Sequence, residues 1–258
     1  MGKLDEALSG SGFPRVMPDV PELTMPQKIA ATARMLAKTG YALDVAGHIT
    51  VVRDDRDDGS MWCTPYGKWW YEVQASDILT IDADGEVIEG RWEVTPAVAI
   101  HTEIHRNQPD AKVVIHNHPY YGTLLATMKV APDVTDQQAC MFDGDVRLFD
   151  EYTGGVDNAK DGQYLSDAID GATAVILANH GVLILADQLE LACYRAVTFE
   201  RMCRLNYDAM ASGQKAVPVP PEQRGKLKDA INNKNMTVRY FWGGALRRLL
   251  RDEPEVLD

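Results

Sequence analysis

The feature that most constrains this chain is a short apolar segment that ends in two histidines. It reads Val-Val-Ile-His-Asn-His-Pro and spans residues 113–119. Alternate residues of a β-strand point to the same face, so that His116 and His118 can address a single point. Two convergent imidazoles are typical ligands of a divalent metal such as zinc or iron.

A second apolar segment ends in a similar way farther along the chain. Residues 174–178 are apolar, and the sequence continues Asn-His-Gly, in which the glycine lets the backbone turn sharply beside His180. The two segments contain half of the six histidines. We therefore predict that His116, His118 and His180 form a metal site with coordination positions left open for a substrate. The alternative is that each is an ordinary solvated or hydrogen-bonded histidine of a loop.

Composition and charge exclude several classes of partner. The chain has 258 residues, 45% of them hydrophobic and 25% charged, which is typical of one large globular domain. Its formal net charge of −12 argues against nucleic acid or an anionic membrane as a partner. The sequence shows no signal peptide pattern and no apolar run of membrane-spanning length. Its four cysteines have neither CxxC nor zinc-finger spacing, so we expect a reduced, cytoplasmic protein.

Hydrophobic patterns predict helices and strands that follow each other along the chain. The predicted helices cover residues 26–40, 96–107, 119–128, 163–170, 187–210 and 238–250. The predicted strands cover residues 46–53, 61–64, 78–81, 87–88, 113–118, 174–179 and 182–185. Because both helical and hairpin connections occur, we predict an α/β fold with three α/β/α layers around a central mixed sheet. The predicted parts are an N-terminal arm (1–24), a main domain (25–212) and a linker with a C-terminal helical extension (213–258).

The predicted helix 96–107 contributes two more histidines. Pro96 takes a position that the first turn of a helix permits. Ala97, His101 and His105 recur at a spacing of four, so we expect them to share one face of this helix.

Taken together, these motifs resemble the class II aldolase/adducin family. The resemblance rests on residues 101–105, 108–119 and 177–181, and on two loops at residues 47–51 and 64–67. It covers about residues 25–212 and implies an α/β/α fold with a largely antiparallel sheet. It also implies small-molecule substrates and a homo-oligomer, commonly a tetramer with active sites between subunits. In aldolases of this family, the positions of His116, His118 and His180 bind zinc.

The departures from the family pattern restrict the substrate. Sugar-phosphate aldolases of this family carry a catalytic glutamate where this sequence has Ala97. Positions that help to hold the phosphate are occupied here by His48, Thr95 and Pro96, and proline has no N–H to offer an anion. Lys68 alone is a weak substitute. We therefore expect a small substrate without a phosphate group, an aromatic acid or a hydroxy acid.

Several groups could take over the proton transfer of the missing glutamate. His101 lies one helical turn beyond Ala97, His48 lies in the first substrate-side loop, and Tyr120 follows the metal pair. His105 is a weaker candidate. The candidate substrate-binding residues are Thr64, Gly67, Lys68, Trp69 and Gln138. Trp69 belongs to an aromatic cluster that could equally serve packing or a subunit interface.

Three functions remain open at this point. The first is a metal-dependent lyase that cleaves a carbon–carbon bond by retro-aldol reaction or decarboxylation, with Zn²⁺ as the first choice of metal and Fe²⁺, Mn²⁺ or Co²⁺ as alternatives. The second is a non-haem iron oxygenase, because residues 47–51 and 138–142 resemble aminocoumarin-pathway oxygenases of the same fold. The third is a non-catalytic, adducin-like binding module. Adducin heads also lose metal histidines, whereas this chain keeps all three.

Overall fold

A computed structural model describes residues 19–151, 158–233 and 236–258. The strands in these ranges are β1 His48–Val52, β2 Met61–Cys63, β3 Leu79–Ile81, β4 Val87–Glu89, β5 Val113–Asn117, β6 Val146–Phe149, β7 Ala174–Leu177 and β8 Gly181–Ala186. The α-helices are α1 Met25–Lys38, α2 Ala99–Asn107, α3 Tyr120–Met128, α4 Ala159–Ile169, α5 Leu189–Ala211, α6 Pro221–Asn233 and α7 Met236–Asp252. Short 3-10 helices cover Ala75–Asp77, Pro96–Val98, Gln138–Phe142 and Pro254–Leu257.

All eight strands form one sheet in the order β4-β3-β2-β1-β5-β8-β7-β6. Neighbouring strands are antiparallel except for β6 and β7, which are parallel. Helices α1, α3, α5 and α7 contribute to the core on one face of the sheet, and α2 and α4 pack on the other face. The predicted three-layer α/β/α fold with a mixed, largely antiparallel sheet is therefore confirmed.

Alternation along β5 decides on which side of the sheet the histidines lie. Val113 and Ile115 belong to the larger core, whereas Val114 packs with Ile100 of α2 in the smaller one. His116 has the same parity as Val114, so its side chain lies on the face that α2 covers.

The predicted helix 96–107 is wrong in one respect, because it is broken at Ala97. This residue has φ −84° and ψ 16°, which is not helical, and it lies inside the 3-10 helix Pro96–Val98 that precedes α2. The Thr95 hydroxyl accepts a hydrogen bond from the Ala97 N–H at 3.2 Å, so that a side-chain cap begins the short helix.

Two elements were not predicted from the sequence. Strand β6 lies in a region without a clear hydrophobic period, and α6 lies within the segment predicted as a linker. Most of the predicted N-terminal arm, residues 1–18, lies outside the described residues. The four cysteines are buried free thiols. Among the described helices, none has both the length and the hydropathy needed to cross a bilayer.

Candidate metal centre

The three predicted ligands converge at one end of the sheet. His116 is on β5, His118 follows that strand, and His180 lies in the turn between β7 and β8. One ligand atom from each histidine lies within 4.8 Å of the others. The histidine triad, as we call these three residues, is thus close enough to hold one metal ion after small side-chain rotations.

The turn before β8 holds His180 in place. Asn179 has φ 57°, a left-handed conformation that asparagine tolerates better than most residues. The His180 N–H donates to the Leu177 carbonyl at 3.0 Å, which closes the turn. A Cβ on Gly181 would lie 2.6 Å from the Asn117 carbonyl oxygen, so a glycine is needed for this close approach of the two strands.

The protonation of the histidine triad suits a metal. His116 Nδ1 lies 3.0 Å from the Val182 carbonyl and must carry a proton to donate to it, which leaves His116 Nε2 with a lone pair. His118 Nε2 is buried and has no hydrogen-bond partner among the described residues. Burial lowers the pKa of His116 well below its ordinary value, lowers that of His118, and lowers that of His180 to about 4. Three neutral imidazoles are a donor set that zinc and iron accept, and they leave coordination positions open.

A carboxylate that the sequence analysis did not single out lies beside the histidine triad. Asp44 Oδ2 is 4.0 Å from His118 Nδ1, and the other Asp44 oxygen accepts a hydrogen bond from the Ala46 N–H. Acidic partners on the outer nitrogen commonly orient metal-binding histidines. At 4.0 Å the present separation is longer than a hydrogen bond.

Two further imidazoles extend the triad toward α2. The His48 ring lies 5.1 Å from the His116 ring and 4.5 Å from the His101 ring, measured between centroids. Burial lowers the pKa of His48 to about 4 and that of His101 well below its ordinary value. His48 Nδ1 donates to the Ala46 carbonyl at 3.1 Å. Within the described part of the chain, the Nε2 atoms of His48 and His101 are buried without a hydrogen-bond partner.

Thr50 connects the sixth histidine to this set. Its hydroxyl oxygen lies 2.6 Å from His101 Nδ1 and 2.7 Å from His105 Nε2, which confirms that the two histidines share a face of α2. His105 Nδ1 in turn lies 2.7 Å from the Ala111 carbonyl. All six histidines of the chain therefore form one continuous group, which we call the histidine cluster. Sequence analysis missed Thr50, although its position two residues after His48 on a strand places both on one face.

The position that carries the family's glutamate lies next to this cluster. The Ala97 carbonyl is close enough to His48 to raise its pKa, an effect that is smaller than the lowering by burial. Ala97 itself offers a methyl group only, whereas the neighbouring His48 has a titratable ring.

Of the predicted substrate-binding residues, Thr64 is hydrogen-bonded to the residue that follows His48 in the chain. Its side chain is buried and its hydroxyl accepts a hydrogen bond from the Ile49 N–H at 2.9 Å, beside His48. Gly67 has φ 83°, and no atom lies within 4 Å of the position that a Cβ would take. Thr64 thus ties the start of β1 to the end of β2, and Gly67 allows the turn that follows.

Lys68 is held by a buried carboxylate. Its ammonium group lies 2.6 Å from Asp77 Oδ2, and this oxygen also accepts from the Gln74 N–H at 3.0 Å. The other Asp77 oxygen accepts from Arg91 at 3.0 Å and from the Trp92 indole N–H at 2.8 Å. We call these five residues the Asp77 cluster. Lys68 is therefore already engaged in this ion pair.

The remaining candidates are exposed. Trp69 is 40% exposed and its ring lies 5.6 Å from the Tyr71 ring, and Tyr120 at the start of α3 is 60% exposed. Gln138 is exposed in the 3-10 helix that packs against α5 and α6. No hydrogen bond within the described ranges joins the side chain of Trp69, Tyr120 or Gln138 to the histidine cluster.

Comparison with known proteins gives consistent results. The model of the Class II Aldolase and Adducin N-terminal domain matches residues 27–207. A 4-hydroxy-3-prenylphenylpyruvate oxygenase/4-hydroxy-3-prenylbenzoate synthase from Streptomyces roseochromogenus subsp. oscitans is 33% identical over 75% of this chain and 70% of its own. Decarboxylase NovR from Streptomyces niveus is 32% identical over 75% of this chain and 72% of its own.

A solved structure extends the likeness to almost the whole chain. The crystal structure of an aldolase II superfamily protein from Pseudomonas syringae matches with a TM-score of 0.81 and 25% sequence identity. The match covers 95% of this chain and 98% of that one. The likeness therefore includes the C-terminal helices beyond the matched domain.

Proposed function

Because the chain belongs to the class II aldolase/adducin family, we propose that it is a divalent-metal-dependent lyase that cleaves a carbon–carbon bond of a small acid without a phosphate group. The observation that carries this proposal is the convergence of three neutral imidazoles, His116, His118 and His180, within 4.8 Å at one end of the sheet. The cleavage is a retro-aldol reaction or a decarboxylation.

The histidine triad would hold the metal, through Nε2 in His116 and His118. A bound Zn²⁺, or Fe²⁺, Mn²⁺ or Co²⁺ in its place, would supply a Lewis acid that stabilises negative charge developing on a substrate oxygen as the bond breaks. The Val182 carbonyl orients His116 from behind. Such outer hydrogen bonds commonly hold a ligand ring in its metal-binding orientation.

The proton transfers fall to imidazoles, because Ala97 offers no carboxylate. Retro-aldol cleavage begins with loss of a hydroxyl proton, and a neutral imidazole with a free lone pair can accept it. His101 and His48 are both neutral at neutral pH, and each has a buried Nε2 without a partner among the described residues. Tyr120, exposed at the start of α3, is our candidate for returning a proton from the open side of the site.

The surroundings favour a substrate without a phosphate group. The Thr95 hydroxyl already caps the short helix before α2, Pro96 has no N–H, and Lys68 is paired with Asp77. The relatives' names support an aromatic 2-oxo acid or a related hydroxy acid, since one of them acts on a prenylated hydroxyphenylpyruvate. Trp69 would then form an apolar wall for the ring, with Thr64, Gly67 and Gln138 nearby or contributed from a second subunit.

We also propose that the protein assembles as a homotetramer in the cytoplasm. The exposed aromatic pair Trp69 and Tyr71 is the kind of surface that subunit contacts cover. The four buried free thiols suit a reducing compartment.

An oxygenase is the second candidate. The relative that is 33% identical is named as an oxygenase of an arylpyruvate, and three histidines with open positions also suit redox-active iron. A non-catalytic, adducin-like module is the third candidate, and the intact histidine triad argues against it.

Metal analysis of the purified protein, prepared under argon and in air, separates these functions. The proposal predicts one divalent ion per chain in the wild type, loss of this ion in His116→Ala and His180→Ala, and retention in the control His105→Asn. Arylpyruvates and 2-hydroxy acids should then be cleaved without oxygen. Turnover that requires oxygen and iron would identify the oxygenase, and a folded protein that binds no metal when it is supplied in excess would leave only the binding module.

A further inference from the structure

A chain of three hydrogen bonds joins the Ala111 carbonyl, His105, Thr50 and His101. Because the first member can only accept, it determines which atom is the donor in each of the three bonds. A backbone carbonyl only accepts hydrogen bonds, and the Ala111 carbonyl lies 2.7 Å from His105 Nδ1. His105 must therefore carry a proton on Nδ1. Burial lowers the pKa of His105 to about 4, so the ring is neutral near neutral pH and its Nε2 has a lone pair.

Thr50 transmits this direction to the next ring. Its hydroxyl has one hydrogen, and the lone pair of His105 Nε2 at 2.7 Å takes it. The Thr50 oxygen is then an acceptor toward His101 Nδ1 at 2.6 Å. His101 must consequently carry its proton on Nδ1, and its Nε2 must have a free lone pair.

The free nitrogen of His101 is buried beside the rings that lead to the histidine triad. His101 is fully buried, and its Nε2 has no hydrogen-bond partner among the described residues. The opposite edge of the ring is occupied by Thr50, and the ring stacks at 4.5 Å on His48, which in turn contacts His116. In the other tautomer, Nε2–H would be a buried donor without an acceptor and two acceptors would face each other at Nδ1, both of which cost free energy.

We propose that Thr50 and His105 are positioning residues that fix His101 in the Nδ1–H tautomer. The tautomer itself follows from the hydrogen bonds, whereas the use of the Nε2 lone pair as a base rests on the proposed function. Thr50 suits this role because its β-branched side chain is stiff at χ1 and is fully buried on β1. Neither residue needs to touch the substrate.

The chain offers a matched pair of variants. Thr50→Val keeps the shape of the side chain and removes the hydroxyl, whereas Thr50→Ser keeps the hydroxyl. Long-range ¹H–¹⁵N NMR of metal-free, ¹⁵N-histidine-labelled protein reports which nitrogen of each ring carries the proton. We expect Nδ1–H at His101 in the wild type and in Thr50→Ser, and loss of this preference in Thr50→Val with His116 unchanged.

Kinetics provides a second readout. With metal bound at the wild-type stoichiometry, Thr50→Val should lower kcat by roughly 10- to 100-fold, within the range that general acid–base catalysis contributes. KM should change little, and Thr50→Ser should recover most of kcat. A wild-type His101 in the Nε2–H tautomer, or a Thr50→Val spectrum identical to the wild type, would overturn the proposal. If the tautomers agree but no lyase activity exists, the positioning stands and the proposed function fails.

Discussion

Two buried polar groups of this protein differ in how completely they are satisfied. In the Asp77 cluster, both carboxylate oxygens accept hydrogen bonds from two donors each. In the histidine cluster, the Nε2 atoms of His48, His101 and His118 are buried and have no partner among the described residues. Buried polar atoms are normally paired in native proteins, so the second group is the one that requires an explanation.

The difference indicates which group serves structure and which serves chemistry. A buried acceptor without a partner costs about 1–3 kcal/mol. The histidine cluster has three such atoms, one in the histidine triad (His118) and two in the rings that extend from it (His48 and His101), and each is a nitrogen that a metal or a transferable proton can occupy. The Asp77 cluster has no such capacity left, and it fixes the loop that contains Lys68.

The pKa values of the two groups fall for opposite reasons. Burial alone would raise the pKa of the Asp77 carboxyl, but the hydrogen bonds from Lys68, Gln74, Arg91 and Trp92 lower it to about 2. For His48 and His105, burial itself lowers the pKa to about 4, because it disfavours the charged ring. In one group the charge is stabilised, and in the other it is excluded.

The largest effect that we expect from this comparison is a two-phase loss of stability in acid. The unfolded chain takes up protons on histidine near pH 6.5, whereas the folded His48 and His105 resist protonation down to about pH 4. The unfolded state therefore binds more protons in this window, and the free energy of unfolding of metal-free protein falls as the pH falls through it. A pKa shift of this size is worth about 3 kcal/mol for the buried His48 and less for His105, which is partly exposed.

A second phase should follow at lower pH. The Asp77 carboxyl contributes stability above the ordinary aspartate pKa of about 4, and it loses this contribution as the pH falls toward about 2. Urea unfolding at a series of pH values measures both phases. Asp77→Asn should weaken the lower phase alone, and His105→Asn should weaken the upper one alone. A single phase that is insensitive to His105→Asn would contradict the assignment.

The second prediction compares one substitution in each cluster at neutral pH. Asp77→Asn leaves Lys68 without its buried counter-charge and weakens four hydrogen bonds, so we expect the free energy of unfolding to fall by about 2–4 kcal/mol. His180→Asn, a similar change at a partly buried position, should cost less than about 1 kcal/mol. Metal content should show the reverse order, with retention in Asp77→Asn and loss in His180→Asn. Equal losses of stability in both variants would remove the distinction between the groups.

The sequence was sufficient to predict the fold and the histidine triad. Strand parity brings His116 and His118 to one face, and the Asn-His-Gly turn is recognisable because a glycine follows the histidine at a strand end. These signals lie in short stretches of sequence. The resemblance to the family over about residues 25–212 supports the same prediction. The structure brings the three rings together as that reasoning required, whereas metal binding itself stays a prediction.

Contacts between distant segments were not predictable in the same way. Thr50 bridges β1 to α2, and Asp77 collects donors from the chain on both sides of it. Neither residue has a motif, because its role depends on where other elements pack. The non-helical backbone at Ala97 has no signal in the sequence, because the helical pattern of residues 96–107 looks continuous there.

The smallest effect that we predict is that of replacing Lys68. It tests whether Lys68 serves only the Asp77 cluster or also binds the substrate beside the histidine cluster. The sequence pattern placed Lys68 at the substrate, and the structure pairs it with Asp77 at 2.6 Å. In Lys68→Gln, the backbone N–H of Gln74, the Arg91 guanidinium and the Trp92 indole still satisfy Asp77. We therefore expect a loss of about 1 kcal/mol in the free energy of unfolding, the typical net worth of one hydrogen bond.

The same variant should leave metal content and KM unchanged if Lys68 belongs to the Asp77 cluster alone. Urea unfolding gives the stability, and arylpyruvate or 2-hydroxy-acid turnover gives KM. Arg91→Gln is the matched control, because Arg91 is also a donor to Asp77 and was never a substrate candidate. A rise in KM in Lys68→Gln without one in Arg91→Gln would show that the ammonium group leaves Asp77 to bind the substrate. Lys68 would then be a substrate-binding residue as well as a donor to Asp77, and the purely structural part of the Asp77 cluster would not include it.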